Sequence, residues 1–184
     1  MPASRKDAFF YRIRFPFVVY YMEKYKVGDN IFYGKSGACE IFTIGTLDFG
    51  KEDQIYYSLK PVMDSRSVVY VKVEAGDELF RPVMTKKEAT AMLEKISDVS
   101  PSTYVIEKTF CEDLLKSGDQ IKIAALVKQL RLLRKDTSRN RKGLNIAEER
   151  ILRDAEKILY SEIASSLGLT MDEAREKLSI PLEA

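Results

Sequence analysis

Histidine is absent from the 184-residue chain, and cysteine occurs only twice. Histidine is the commonest general base and the commonest metal ligand in proteins. Its absence excludes a hydrolase triad, a zinc protease and any metal centre with imidazole ligands. We therefore expect neither a metal site nor a cofactor.

The two cysteines, Cys39 and Cys111, lie far apart and have no neighbouring cysteine to complete a zinc set or a redox pair. They are predicted to be free, buried thiols in a reducing compartment, which favours a cytoplasmic location. A catalytic thiol is the weaker alternative, because it would need a base other than histidine.

Long hydrophobic runs are also lacking. The segment Phe15 to Met22 falls far short of the roughly 20 residues that a membrane span needs, so no transmembrane helix is predicted. Basic residues precede this aromatic-rich segment, as in a weak signal peptide, but no small-residue cleavage site follows it. Residues 1–24 are interpreted as an N-terminal extension, and the alternative to a native extension is that Met22 is the true start and residues 1–21 are an artefact.

Neither sign of charge is in large excess, since the formal net charge is only +2. The basic residues are nevertheless concentrated, because between Lys122 and Lys157 there are 11 lysines or arginines against 5 acidic residues. A polyanion would bind in this region if it binds at all. The alternative interpretation is a solvated helix face.

Short β-branched and aromatic runs, separated by glycine and aspartate turns, characterise residues 25–73. This spacing predicts strands at 27–33, 38–47, 54–59 and 67–73 in a small antiparallel barrel or sandwich. The alternation from Val69 to Val73 places the valines on one face of a half-buried strand. Gly76, Asp77 and Pro82 then interrupt the pattern, which predicts a short linker near 74–84.

Residues 84–184 carry helical signals instead. Capping boxes are predicted to begin helices at Thr85, Asn145 and Thr170, because each is followed three residues later by glutamate. Gly118 is predicted to end one helix where Asp119 caps the next. These signals predict about five helices, and hence an α+β chain with an N-terminal β-barrel followed by an all-α domain.

No catalytic motif accompanies these elements, since there is no glycine-rich phosphate loop, no H-E-x-x-H and no G-x-S-x-G. A barrel with exposed edges and a helical domain with a basic stretch suit a protein that binds a partner protein on one side and a polyanion on the other. We therefore interpret the chain as a binding module and not as an enzyme.

Several short motifs follow one another over residues 24–168. They are Lys26-Val27-Gly28-Asp29 with Tyr33 and Gly37-Ala38, Tyr56 to Leu59, Val68 to Val73, Leu79 to Val83 with Arg81, Ser117-Gly118-Asp119, Ile123 to Leu130, and Gly143-Leu144-Asn145 with Glu148. In this order the motifs resemble the CarD/CdnL family of bacterial transcription regulators. Each motif is weak singly, and their order makes the resemblance specific.

The resemblance implies a Tudor-like barrel, residues 25–83, that binds the β subunit of RNA polymerase. It also implies a helical domain, residues 84–184, that contacts promoter DNA at the upstream edge of the transcription bubble. An aromatic wedge there would stabilise the open complex. The alternative is a protein-interaction adaptor whose barrel binds a partner and whose helical domain never contacts DNA.

The sequence departs from the family pattern at the aromatic wedge, because it has no tryptophan and Tyr104 stands at the corresponding position. Tyrosine can stack, but with a smaller face. The alternative is that Tyr104 packs within the helical bundle. The residues that the resemblance and the basic stretch predict for DNA binding are Tyr104, Lys108, Lys128, Arg131, Lys135 and Lys142.

On the barrel, arginines that some family members direct toward polymerase correspond to Leu47 and to Val69 or Tyr70. The resemblance makes these three residues candidates for polymerase binding, through a surface that is more apolar and relies on strand pairing. The alternative for Leu47 and Val69 is barrel core. The sequence leaves open whether two chains form a homodimer by exchanging barrel strands.

Overall fold

The structure is a computed structural model that describes residues 24–50, 54–136, 143–179 and 182. The described residues within 24–82 form a sheet domain, and helices make up most of the other described residues. The strands are β1 (Asn30–Phe32), β2 (Ala38–Gly45), β3 (Tyr56–Pro61), β4 (Val69–Lys72) and β5 (Arg81–Pro82). A single 3-10 turn, Gly34–Ser36, separates β1 from β2.

The five strands form one antiparallel sheet in the order β4-β3-β2-β1-β5, curved as a half-barrel. The register of β2 against β3 shifts between Ile41 and Thr43, and such a bulge increases local twist. Because the described strands do not close into a ring, β4 and β5 are the two edges. The prediction of an antiparallel sheet domain is confirmed, and its Tudor-like identity stays a prediction.

The concave face of the sheet is filled by apolar side chains that alternate along the strands. Its fully buried members include Ile31, Ile41, Tyr57 and Leu59. Val71 is buried and Val69 is half-buried against this core, whereas Tyr70 and Lys72 face outward, as the alternation predicts. The sheet therefore has its own small core.

The predicted linker near 74–84 is wrong. Helix α1 (Val73–Leu79) follows β4 directly, and β5 then pairs with β1. Gly76 lets α1 approach closely, because a Cβ at this position would lie 2.7 Å from the Tyr57 ring. The Tyr57 hydroxyl also donates a hydrogen bond to Asp77 at 2.7 Å. Glycine and aspartate here serve close packing of a short helix and do not loosen the chain.

The described residues after β5 form five helices, and their bounds are α2 (Lys86–Asp98), α3 (Lys108–Ser117), α4 (Gln120–Lys135), α5 (Ile146–Leu167) and α6 (Met171–Ser179). This agrees with the predicted number. The three capping boxes are confirmed, since Thr85, Asn145 and Thr170 each exchange hydrogen bonds with the glutamate three residues later. Gly118 ends α3 and Asp119 caps α4, also as predicted.

Helix α4 lies at the centre of the helical domain and is buried on most of its surface. Ile123, Leu126 and Leu130 are completely buried, together with Leu152 and Ile163 of α5. The apolar residues of α2, α3 and α6 pack around this pair. Removing these side chains from water supplies most of the driving force for the domain.

An ion pair between a half-exposed arginine and a buried carboxylate joins the sheet to the helices. Glu162 of α5 is completely buried, and its carboxylate accepts hydrogen bonds from Arg81 of β5 at 2.5 and 2.8 Å. The Gln120 side chain and the Met84 backbone also donate to this carboxylate. The Arg81 guanidinium lies 4.0 Å from the centre of the Phe32 ring. A buried carboxylate with this many donors fixes the relative orientation of the two domains.

Two glycines allow the domains to pack this closely. Gly37 precedes β2, and a Cβ there would lie 2.3 Å from the Ser161 hydroxyl of α5. A Cβ at Gly118 would lie 2.5 Å from the Phe32 ring. Both glycines have positive φ, 65° and 67°, which disfavours any other residue. The sheet domain and the helical domain therefore pack directly against each other.

Gly118→Ala is expected to lower the free energy of unfolding by about 2–4 kcal/mol, since it combines a left-handed backbone with a clash against Phe32. Gly168→Ala is the matched control, because Gly168 ends α5 at φ 68° and a Cβ added there would meet no atom within 4 Å. This control is expected to cost only about 1 kcal/mol. Urea unfolding measures both, and equal losses would show that the Phe32 contact is unimportant.

Candidate functional site

The outer edge of β4 is free among the described strands. The amide of Val73 donates to Ile55 at 3.0 Å, so residues 69, 71 and 73 direct their backbone groups toward β3. In an antiparallel ladder alternate residues point to opposite sides. The amide and carbonyl of Tyr70 and the amide of Lys72 therefore face away from β3, whereas the Lys72 carbonyl accepts the first hydrogen bond of α1. This edge can accept a further strand.

Exposed apolar side chains lie beside this edge. Tyr70 is 44% exposed, and its ring packs edge-on against Phe49 with centroids 5.2 Å apart. Phe49 is 74% exposed, and Val68 at the start of the strand is also exposed. Together, Tyr70, Phe49 and Val68 are called the β4 edge patch.

Of the three residues predicted to bind polymerase, Tyr70 is the one whose side chain is open to solvent. Leu47 is half-buried in the turn after β2. Val69 packs against the concave core, so its alternative interpretation as barrel core is supported. The backbone of Val69 faces β3, which leaves Tyr70 as the accessible residue of the pair.

A second exposed apolar surface lies on the helical domain. Tyr104 is half-buried against the helical core, and its ring packs edge-on against Phe110 of α3 at 5.1 Å. Phe110 is 42% exposed and Val105 is 72% exposed. Tyr104 thus packs partly in the bundle, in line with the alternative interpretation, and the more exposed ring belongs to Phe110. Tyr104, Val105 and Phe110 are called the α3 patch.

Two lysines accompany the α3 patch. Lys108, predicted from sequence, is exposed at the first turn of α3. Lys122, which was not predicted, is 59% exposed in the first turn of α4. Its pKa is raised mainly by a hydrogen bond to Asp119, with a smaller contribution from Tyr104. The Tyr104 carbonyl accepts a hydrogen bond from Gln129 at 2.9 Å, and Gln129 is seven residues after Lys122, so the α3 patch lies along the face of α4 that carries Lys122.

Lys128 is not a surface residue, so its predicted role in DNA binding is wrong. It is only 4% exposed, and its ammonium donates to the carbonyls of Ser97 and Val99 at 3.1 and 2.9 Å. Burial lowers its pKa. The cause is that α2 packs across α4 here, and Lys128 satisfies carbonyls at the end of α2.

Lys128→Met is expected to lower the free energy of unfolding by about 1–2 kcal/mol, because two charge-assisted hydrogen bonds are lost while the apolar stem is kept. It is expected to leave DNA affinity unchanged. Lys122→Met on the same helix is the matched control, and the opposite result is expected for it. Chemical unfolding and a DNA titration of both variants measure this, and weaker DNA binding by Lys128→Met alone would restore the original prediction.

The remaining basic candidates do not lie beside the α3 patch. At about 100° per residue, Arg131 projects from α4 roughly 180° away from Lys122. Its guanidinium is held by Glu156 at 2.6 and 2.9 Å and by the Tyr160 hydroxyl at 3.0 Å. Lys135 is exposed on the Arg131 side. Lys142 lies outside the described residues, as do residues 1–23.

Neither cysteine has the character of a nucleophile. Cys39 and Cys111 are free and buried, as predicted. Burial raises the pKa of the Cys39 thiol to about 12 and also raises that of Cys111, whereas a reactive thiol needs a lowered pKa. The residues that the structure describes contain no acidic or cysteine cluster that could hold a metal ion. None of their helices is long and apolar enough to span a membrane.

Sequence reasoning missed Phe49, Phe110, Lys122 and Glu162. Phe49 lies in a turn after β2, outside every predicted strand. An aromatic residue in a predicted turn is expected to be exposed, so this position could have been predicted as part of a binding surface. Phe110 and Lys122 fit the helical pattern and give no such signal. Glu162 fits an ordinary polar position of an amphipathic helix, so the sequence does not indicate that it is buried.

An open sheet with an aromatic edge, fixed to a helical bundle with a second aromatic surface, defines a two-domain protein with separate interaction surfaces. Residues 88–179 match the family model described as CarD, C-terminal domain, which covers 92 of the 184 residues. The chain belongs to the CarD family, as its motifs predict.

A relative points in the same direction. The protein described as "Putative transcription factor YdeB" from Bacillus subtilis (strain 168) is 27% identical over 150 residues, which cover 79% of this chain and 94% of that protein. Family and relative together give the chain a role in transcription regulation.

Proposed function

We propose that the chain regulates transcription by binding the β subunit of RNA polymerase through its sheet domain and promoter DNA through its helical domain. The DNA contact would lie at the upstream edge of the bubble and stabilise the open complex. The observation that carries this proposal is the free edge of β4 with the exposed Tyr70 and Phe49 beside it.

The backbone of β4 supports the proposed polymerase contact. The outward amide and carbonyl of Tyr70 and the outward amide of Lys72 can pair with an extended segment of a partner, which supplies main-chain hydrogen bonds. The β4 edge patch then gives apolar area beside the added strand. Aromatic residues at such a surface supply much of the binding energy in protein complexes.

The α3 patch supports the proposed DNA contact. Phe110 and Val105 are exposed apolar side chains, Lys108 is in the first turn of α3, and Lys122 lies on the face of α4 that contacts Tyr104. An apolar projection can enter between partly unstacked base pairs at a fork, and lysines contact the phosphates around it. Phe110 accordingly acts as the aromatic wedge, the role that the sequence assigned to Tyr104. The Tyr104 ring packs against Phe110 and holds it in place.

The ion pair of Arg81 with the buried Glu162 makes these two contacts cooperate. Because the domains are held in one orientation, a chain bound to polymerase presents the α3 patch at a fixed position. Such pre-arrangement raises the effective concentration of the patch at the DNA and removes the need for high intrinsic affinity. The modest net charge of +2 is consistent with this division of labour.

The adaptor without DNA contact is a second candidate, and a specific observation favours it. Five described cations of the basic stretch are engaged by the protein itself. Lys128 is buried, and ion pairs join Lys122 to Asp119, Arg131 to Glu156, Arg134 to Glu149 and Arg150 to Asp154. The basic stretch is therefore much less available to phosphates than its sequence indicates.

Binding of the full chain to a forked DNA duplex distinguishes the two candidates. Phe110→Ala is expected to weaken binding to the fork by about ten-fold, since stacking on a base contributes roughly 1–3 kcal/mol. Binding to a fully paired duplex should change little. Phe42→Ala, at an exposed aromatic on the sheet, is the matched control. Equal affinity of the wild type and Phe110→Ala for the fork would favour the adaptor.

A further inference from the structure

A cavity of about 420 Å³ opens between the end of α4, the middle of α5 and helix α6. Four cationic side chains line it, Arg131, Arg134, Lys135 and Arg175, together with Glu156 and Tyr160. It lies on the opposite side of α4 from Lys122 and the α3 patch. The proposed polymerase and DNA contacts make no use of it.

Two of the cations form the fixed part of this cavity. Arg131 is held by Glu156, by the Tyr160 hydroxyl and by the carbonyl of Leu182 at 3.3 Å. Arg134 is held by Glu149, and this contact raises its pKa. Each of these arginines is thus positioned and balanced by one carboxylate.

The other two cations, Lys135 and Arg175, give the cavity its excess of positive charge. Lys135 has no hydrogen bond or ion pair to a residue that the structure describes. Arg175 lies 4.0 Å from Asp172, whose side chain is 94% exposed, so solvent weakens that pairing strongly. Its guanidinium lies 6.0 Å from the centre of the Tyr160 ring. The two charges come from different helices and converge on one concave space.

We infer that this cavity binds a small polyphosphate, either free or as the phosphate part of a nucleotide. The phosphate groups would be bridged by Lys135 of α4 and Arg175 of α6, with Arg134 at the rim. Several adjacent negative charges are needed to match donors that come from two helices. The buried Tyr160 ring offers no open face for a base, so recognition rests on the phosphates.

A second source of the same chemistry is the phosphate backbone of DNA. The position of the cavity opposes that source, because a duplex on the α3 patch would lie on the other side of α4. A concave site between three helices also suits a small ligand better than a duplex. The inference does not depend on polymerase or promoter binding, and its test can fail while the proposed function stands.

The test is calorimetric titration of the full chain with inorganic pyrophosphate at constant ionic strength. The double variant Lys135→Gln/Arg175→Gln is expected to weaken binding at least about ten-fold, because two charge-assisted contacts are lost. The control Lys86→Gln/Lys87→Gln removes two exposed lysines of α2 that do not line the cavity. Thermal melting of each variant checks that the fold is kept.

Saturable binding that is lost in the cavity variant and kept in the control would support the site. Absence of binding to the wild type, or equal losses in both variants, would overturn it. A parallel titration with a paired duplex separates the sources of phosphate. If the cavity variant weakens duplex binding while pyrophosphate does not bind, the free ligand is wrong and the DNA backbone is the occupant.

Discussion

Arg81→Ala is expected to lower the free energy of unfolding by about 3–5 kcal/mol, the largest effect of any single change considered for this chain. The substitution removes both hydrogen bonds that Arg81 donates to the completely buried Glu162. It leaves a buried carboxylate without a cation, because Gln120 and the Met84 amide are neutral donors. Urea unfolding of the full chain measures the loss.

Two controls separate the ion pair from the general effect of losing an arginine. Arg150→Ala removes an arginine whose side chain is 77% exposed and is expected to cost less than about 0.5 kcal/mol. The double variant Arg81→Met/Glu162→Leu removes both charges and is expected to regain much of the stability lost in Arg81→Ala. If Arg81→Ala cost no more than Arg150→Ala, the ion pair would not hold the domains together.

Tyr70→Pro is expected to abolish capture of RNA polymerase while the chain stays folded. The Tyr70 amide points away from β3, so proline there removes a donor from the free edge and not from the ladder. Loss of this donor and of the aromatic ring removes both parts of the proposed contact. Capture of polymerase on the immobilised full chain measures the effect, with the melting temperature as a check on folding.

Val71→Pro is the matched control for that experiment. The Val71 backbone faces β3, so proline at this position breaks the ladder and is expected to destabilise the sheet. The pair therefore distinguishes a blocked edge from an unfolded domain. Polymerase captured equally by the wild type and by a folded Tyr70→Pro variant would mean that β4 is not the docking edge.

The sequence allowed the elements with local signals to be predicted. Three capping boxes and a glycine stop define the helix ends, and the Val69 to Val73 alternation defines β4, because each signal acts within a few residues. Helix α1 and strand β5 were missed. Both are short, and both depend on distant partners, Tyr57 for the helix and β1 for the strand. Tertiary contacts outweigh local propensity at such positions.

The candidate site was less predictable, because a count of charges says nothing about where the side chains point. Lys122 and Lys128 belong to the same helix, yet one is exposed beside Tyr104 and the other satisfies carbonyls of α2. Which of them faces solvent is decided by the packing of α2, which no pattern within α4 reveals. The exposed aromatic residue also differs from the predicted one, since Phe110 is more exposed than Tyr104.

Several motifs that carry the family resemblance belong to the interface between the domains. Arg81 forms the ion pair with the buried Glu162, and Gly118 makes room for Phe32. Gly37-Ala38 meets Ser161 of α5, since the Ala38 amide donates to the Ser161 hydroxyl at 3.1 Å. The family motifs therefore indicate how the sheet and the helices are placed relative to each other, and hence where the β4 edge patch and the α3 patch lie. They say less about which residues of these patches make contacts.

The central claim is that one rigid chain bridges polymerase and promoter DNA, and the lifetime of open complexes tests it most directly. The lifetime is measured after a heparin challenge, with purified polymerase and the full chain. We predict that the wild type prolongs the lifetime and that Tyr70→Pro and Phe110→Ala each remove the effect. An unchanged lifetime with the wild type, or full activity of both variants, would contradict the bridging account.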